Sequence, residues 1–460
     1  MRMATLYETR TRADGAGLLA VMALALVLAG ACRNENTAPA PAARASAAAS
    51  VPDQLLPGAA RALAFADPRD AEPIDHLIRA QQKRAQAPSI NTDPLVLLGR
   101  FWIRKARETS QPRYYLNARA AADLVFEREP ENRLAKNLVA TTLLNEHRFA
   151  DAATLARSVL ARDSEDLEAL GTLADALIDL GRYDEAKTTV DRLNDLKPGL
   201  PGYARAAHLR WLHGDTDGAL QSFRLAIAAG NDPTHPEPRC WALVQAAQVF
   251  FLRGDYAGAD AGFGAALKDC KNFAPALVGR GRAALALGET ARAVALLDQA
   301  FAEHPTPEAA WRLGDARLAA GDRAGAERAY AVVANASEDP RTVAQFLASK
   351  GRDLERAVKL AQAELERRPG IYTLDALAWA LHRAGRSAEA RTHATRALRL
   401  GTPDPTLLCH AGAIEVASGD ATQGYSLIER GLKLSPRFDP TEAEAARQLL
   451  EARPRTAAAP

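Results

Sequence analysis

A glycine-centred turn returns along this chain at nearly constant spacing. It is read at Gly181-Arg182-Tyr183, Gly214-Asp215, Gly254-Asp255-Tyr256, Gly288-Glu289, Gly321-Asp322, Gly351-Arg352, Gly385-Arg386 and Gly419-Asp420, in steps of 33, 40, 34, 33, 30, 34 and 34 residues. A fixed period of this size marks one supersecondary unit stacked on copies of itself, since a single unit cannot bury its own apolar face. The period therefore predicts a solenoid before any other feature is considered.

The unit from Asp166 to Gly199 shows why the residues are what they are. Leu170, Leu173, Ala174 and Leu177 recur at helical spacing and give a first helix one apolar face. Gly181 ends that helix, where a left-handed residue without a Cβ is unstrained. Asp184 and Glu185 open a second helix, with acid near the positive end of its dipole. Ala186 lets the two helices approach, Val190 and Leu193 bury against the partner, and Pro198 closes the unit. Equivalent residues recur around Gly254 (Leu243, Ala247, Phe250, Ala259, Phe263, Ala266), around Gly288 (Leu277, Gly281, Ala293, Leu297, Ala300, Pro305) and around Gly385 (Leu374, Leu377, Ala378, Leu381, Ala390). His147 stands one period before Gly181 and marks a further unit without the glycine.

This pattern resembles the tetratricopeptide repeat family, at its 34-residue period. The resemblance implies an all-α fold, a right-handed superhelical α-solenoid of stacked antiparallel helix pairs. Residues 131–440 are expected to hold about nine repeats, residues 61–130 N-terminal helices and a divergent hairpin, and residues 441–460 a capping helix and tail. Glu442, Glu444 and Arg447 of that cap are expected to face solvent, as a terminal unit requires.

Residues 1–31 read as an export signal. Arg2, Arg10 and Arg12 precede an uncharged stretch from Gly15 to Ala31, of the size of a signal's apolar region. The junction Leu28-Ala29-Gly30-Ala31-Cys32 resembles the lipobox of bacterial lipoproteins, which implies acylation of Cys32 as the mature N-terminus. The alternative is an ordinary signal cut after Ala-Gly-Ala, with Cys32 incidental. Residues 32–60, rich in Pro and Ala, read as a tether between anchor and domain. Arg33 in place of aspartate implies, by the lipoprotein sorting rule, the periplasmic face of the outer membrane.

Export permits disulfides. Cys240 falls at the start of one first helix and Cys270 just past its partner's end, so the two are either bonded or both buried as thiols. Cys409 reads as a small core residue.

The formal net charge of +2 provides no field for nucleic acid or an anionic membrane. Chemical motifs are missing: there is no P-loop, no Gly-x-Ser-x-Gly and no His-Glu-x-x-His. Gly279-Arg280-Gly281 lies inside a helix of the repeat, where small residues serve packing. Hence no catalytic residue, metal, cofactor or small-molecule substrate is expected, and the chain reads as a non-enzyme. In tetratricopeptide proteins the first helices line a concave groove for a peptide. The family's groove positions fall here on His208, Trp211, Trp241, Gln248, Phe251, Arg282, Trp311, Asp315, Trp379 and His382, with Arg312 beside them. Trp211 and Trp379 are either binding residues or packing between repeats. Arg282 and Arg312 are suited to carboxylates. The Lys/Asn carboxylate clamp of the best-known subclass is absent: Asn137/Thr141, Gly171/Asp175, Ala204/His208 and Val244/Gln248 stand there. The expected function is protein binding, as an envelope adaptor or scaffold for a protein or peptide partner. Its rivals are a permanent subunit of an envelope assembly and a regulatory subunit of an enzyme.

Overall fold

The computed structural model describes residues 51–69, 72–87, 91–337 and 339–454. The signal, Cys32 and the tether up to residue 50 lie outside the described residues. All regular elements among those described are helices. Four come first: α1 (Pro57–Ala64), α2 (Pro73–Gln86), α3 (Asp93–Glu108) and α4 (Tyr114–Phe126). Nine pairs follow. They are α5 (Arg133–Asn145) with α6 (Phe149–Leu160), α7 (Leu167–Asp179) with α8 (Tyr183–Leu196), and α9 (Leu200–Leu212) with α10 (Thr216–Ala229). Next come α11 (Glu237–Leu252) with α12 (Tyr256–Asp269), α13 (Ala274–Leu287) with α14 (Thr290–Glu303), and α15 (Pro307–Ala319) with α16 (Arg323–Asn335). The last are α17 (Pro340–Lys350) with α18 (Leu354–Arg367), α19 (Ile371–Arg383) with α20 (Ser387–Ala397), and α21 (Pro405–Ala417) with α22 (Ala421–Leu434). Helix α23 (Glu442–Glu451) ends the array. Each helix packs on its pair partner and on the next helix in sequence, so the chain is an α-solenoid of tetratricopeptide type.

The turn chemistry is local. All eight turn glycines have φ between +64° and +99°, and His147 takes the same left-handed conformation at +56°. In the Gly-Asp turns, Asp215, Asp255, Asp322 and Asp420 cap the following helix, each accepting from a backbone N–H near its start. Ala186 and Ala293 are fully buried between helices. Gly279 and Gly281 belong to packing: a Cβ there would stand 2.3 Å from the Phe263 ring and 2.4 Å from Leu297.

The array also meets itself. The turns after α7, α9 and α11 touch the segments that open α19, α21 and α23. Tyr183 Oη accepts from the Ile371 N–H at 3.0 Å, and Trp211 Nε1 donates to Tyr372 Oη at 3.3 Å. Thr402 Oγ1 donates to the Leu212 carbonyl. Tyr256 Oη accepts from the Arg437 N–H at 2.7 Å, and Arg437 reaches the Ala286 carbonyl at 2.8 Å. Arg368 pairs with Asp179 at 2.6 Å. A full superhelical turn is thus completed in six pairs, and its two ends are hydrogen-bonded along a seam.

One boundary and one side-chain environment differ from the sequence reading. Folded structure begins before residue 61: Leu55 N–H donates to Asp123 at 3.0 Å, and α1 starts at Pro57. An apolar staple of Leu and Ala was hidden there by the Pro/Ala composition. Glu442 does not face solvent. It is buried at the start of α23, where Ser349 donates to it and His410 lies beside it. Glu444 is exposed and Arg447 half-buried, and they pair with each other at 2.8 Å.

Candidate functional site

The seam turns the concave side of the solenoid into a cavity of about 340 Å³. Its lining follows from helix periodicity, because residues three or four apart share a face. His208 and Trp211 come from α9, Gln245 and Gln248 from α11, and Glu308, Trp311 and Arg312 from α15. Arg341 and Gln345 come from α17, Tyr372 and Asp375 from α19, and Thr406 and His410 from α21. Arg282 enters from α13, and Phe438, Asp439 and Glu442 close the far end.

Six groove positions read from the sequence therefore line one cavity: His208, Trp211, Gln248, Arg282, Trp311 and Arg312. Five do not. Trp241 is exposed and outside the lining. Phe251 is buried beneath Arg282, whose guanidinium carbon lies 4.5 Å from its ring centre. Asp315 is buried and holds Tyr330 Oη and Lys350 Nζ, each at 2.6 Å. Trp379 stacks between His382 and His410, with ring centres 5.2 and 4.0 Å away, so both Trp379 and His382 belong to packing. Trp211 has both roles, lining the cavity while donating across the seam.

The charges divide into paired and unpaired groups. His410 sits between Asp375, 3.0 Å from Nδ1, and Glu442, 3.2 Å from Nε2. Burial alone would lower its pKa, but the two carboxylates outweigh it and push it up to about 10. Burial opposes the Glu442 charge as well, yet His410 holds its pKa down to about 2. His382, half-buried and beside that imidazolium, is pushed down to about 4, first by its burial. Burial raises Asp404 to about 6 while its carboxylate accepts from the Thr406 N–H at the start of α21. Arg312 pairs with Asp439 at 3.1 Å and stacks on Trp311 at 4.2 Å, so its recurrence on this face has a structural reason that the sequence did not show. Among the described residues Arg282 pairs with no carboxylate and donates only to Gln248 Oε1 at 3.3 Å; burial followed by Arg312 lowers its pKa to about 10. Arg341 is likewise lowered, by burial and then by Arg368.

Arg341, Tyr372, Asp404, His410 and Asp439 were not singled out from the sequence, and Glu442 was read there only as a solvent-facing residue of the cap. Arg341 had a signal: it follows Arg312 by 29 residues, as Arg312 follows Arg282 by 30. The short α17 obscured that register. Asp439 and Glu442 had none, since the cavity reaches the cap only through the seam. Cys240 and Cys270 are joined as a disulfide, with Cα atoms 6.4 Å apart, and Cys409 is a buried free thiol. Among the described residues no His/Cys/Asp/Glu group is arranged to hold a metal ion, and no helix is long and apolar enough to cross a membrane.

Residues 143–209 and residues 278–340 each match the family model of the tetratricopeptide repeat. These matches support that family as the source of the repeats. No curated protein sequence matches the chain. Among solved structures, the chain is similar to PilW, a widely conserved type IV pilus biogenesis factor, at 17% identity over 44% of this chain and 92% of that one, TM-score 0.38. It is similar to PilF of Pseudomonas aeruginosa at 16% identity over 46% and 95%, TM-score 0.34. It is similar to the human IFIT1 dimer with m7Gppp-AAAA at 13% identity over 79% and 95%, TM-score 0.45. At such identities the likeness is one of fold alone.

Proposed function

We propose that this chain is a non-enzymatic binding scaffold of the bacterial cell envelope, which holds a segment of a protein partner within its superhelix. The signal over residues 1–31 directs export, and an acylated Cys32 anchors the solenoid on the periplasmic face of the outer membrane. The observation that carries the reading is convergence: side chains from first helices far apart in sequence meet in one aromatic and polar cavity. Aromatic and arginine side chains are the residue types enriched as anchors in interfaces. The repeat matches support a role in protein interaction.

The test places a photoreactive residue at Gln345, inside the cavity, and at exposed Arg192 on α8 as a control. Irradiation of intact envelopes is expected to yield a discrete crosslinked partner from position 345 and none from position 192. The same adduct from both positions, or none from position 345, refutes the reading.

A further inference from the structure

Arg282, Arg312 and Arg341 stand on α13, α15 and α17, one on each of three successive first helices, and all three line the cavity. The middle one is neutralised by Asp439. The outer two are not. Arg282 has one hydrogen bond, to a neutral amide, and its remaining donors are free. Arg341 makes no hydrogen bond or ion pair among the described residues. Guanidinium groups enclosed by protein lose much of their hydration, and an unpaired charge in that setting is costly. Burial, and after it the charge of Arg312, depress the pKa of Arg282.

The acids of the cavity do not supply a partner for either. Asp375 and Glu442 hold His410, and Asp404 caps α21. Asp439 holds Arg312 and accepts from the Thr441 and Glu442 N–H groups at 2.9 and 3.0 Å. Among the described residues Glu308, exposed, is the one acid of this lining with no hydrogen bond or ion pair; its charge favours Arg282 and Arg312 without touching either. The open valences are thus donors: two guanidinium groups flanking a third, with the amides of Gln245 and Gln345 nearby in the lining.

We propose that the cavity is a binding site for a ligand carrying carboxylates, with Arg282 and Arg341 each taking one. The source is either a short acidic peptide segment or a free polycarboxylate. The planar fork of arginine matches a carboxylate through two parallel N–H···O bonds. Inorganic phosphate is the poorer fit, because it offers a single charged centre where a polycarboxylate offers one carboxylate to each of the two guanidinium groups. The volume is at the lower end of the range for small-ligand pockets, about 300–1,000 Å³, which admits a few residues and excludes a folded domain. The peptide form of the assignment rests on the scaffold reading above; the carboxylate chemistry does not.

The test is calorimetric titration of the full chain in detergent with triglutamate, citrate, inorganic phosphate and trilysine. A carboxylate probe is expected to bind, phosphate more weakly, and trilysine not at all. Arg282→Gln and Arg341→Gln are each expected to weaken binding by about tenfold or more, the loss of one charge-assisted contact. Arg280→Gln is the control: Arg280 shares α13 but pairs with Asp260 at 3.0 Å, away from the cavity, and should leave binding unchanged. Triglutamate binding identifies the source as peptide. Citrate binding alone keeps the carboxylate site and overturns its peptide form. No binding of either by folded protein overturns the assignment. So does phosphate or trilysine binding as tightly, or equal binding by both arginine variants. A crosslinked partner retained by an Arg282→Gln/Arg341→Gln double variant would overturn the peptide form of the assignment and leave the scaffold intact. If Arg282→Gln fails to fold, Arg282→Lys replaces it, keeping the charge and losing the fork.

Discussion

Replacing His410 with glutamine should destabilise the closed end of the solenoid in a way that depends on pH. His410 joins three elements: it sits on α21, pairs with Asp375 on α19 and Glu442 on α23, and stacks on Trp379. Removing one member of a buried ion pair costs about 3–5 kcal/mol, because the remaining charge stays buried without compensation. The sign of the pH effect follows from the pKa values. His410 is raised from 6.5 to about 10, so its contribution is complete below about 6.5 and is lost as pH rises through about 10. Glu442 is lowered from 4.5 to about 2, so its contribution is complete above about 4.5 and is lost as pH falls through about 2. The clamp is therefore strongest between about pH 4.5 and 6.5. Above that window the wild-type advantage should fall by up to about 1.4 kcal/mol per pH unit. The other titratable neighbours do not reverse the trend. His382 is already neutral there, and Asp404 gains negative charge through about pH 6, which favours the imidazolium. Urea unfolding of wild type and His410→Gln, followed at pH 6 and pH 9, measures the difference. A gap that is unchanged or wider at pH 9 would refute the clamp.

Three further outcomes are expected. Cys240→Ser with Cys270→Ser should lower stability by about 3–4 kcal/mol on the chain-entropy account of a loop closed over 30 residues, read by denaturant unfolding without reductant. Gly279→Ala should cost about 1–3 kcal/mol, because its Cβ would overlap the buried Phe263 ring, and hydrogen exchange should rise first in α12 and α13. Mass spectrometry of the mature N-terminus should find an acylated Cys32; an unmodified cysteine or an N-terminus elsewhere would exclude the lipid anchor.

The pairing of helices was legible because its causes are local. A turn glycine, a capping aspartate and a small residue such as Ala186 each act within one repeat, so a period in the sequence reports them. The face of each first helix was legible for the same reason, which is why six groove residues were placed together. The cavity itself was not. Tyr183 meets Ile371, and Tyr256 meets Arg437, across 188 and 181 residues, at a distance set by small rotations summed over six pairs. No residue spacing encodes that sum. The same limit explains Trp379 and Asp315: register put them on the inward side, and only the return of the chain decided whether they met open space or a neighbour.

The seam can still be tested with two glycines that local reading treats as equivalent. Gly254 and Gly288 both end a first helix, with φ of +77° and +86°. Alanine at either site should incur the left-handed penalty of about 1–2 kcal/mol. Their surroundings differ. A Cβ at Gly288 meets nothing within 4 Å, whereas at Gly254 it would lie 2.8 Å from the Leu434 carbonyl oxygen, across the seam. Gly254→Ala must therefore push α12 and the segment before α23 apart, straining the Tyr256–Ser435 and Tyr256–Arg437 hydrogen bonds. The excess of its destabilisation over that of Gly288→Ala isolates the seam, since the backbone term is common to both. Hydrogen exchange should rise at residues 435–442 in Gly254→Ala and not in Gly288→Ala. Equal stability losses with no change at 435–442 would mean that the turns of the superhelix do not touch in solution, and that the cavity is open.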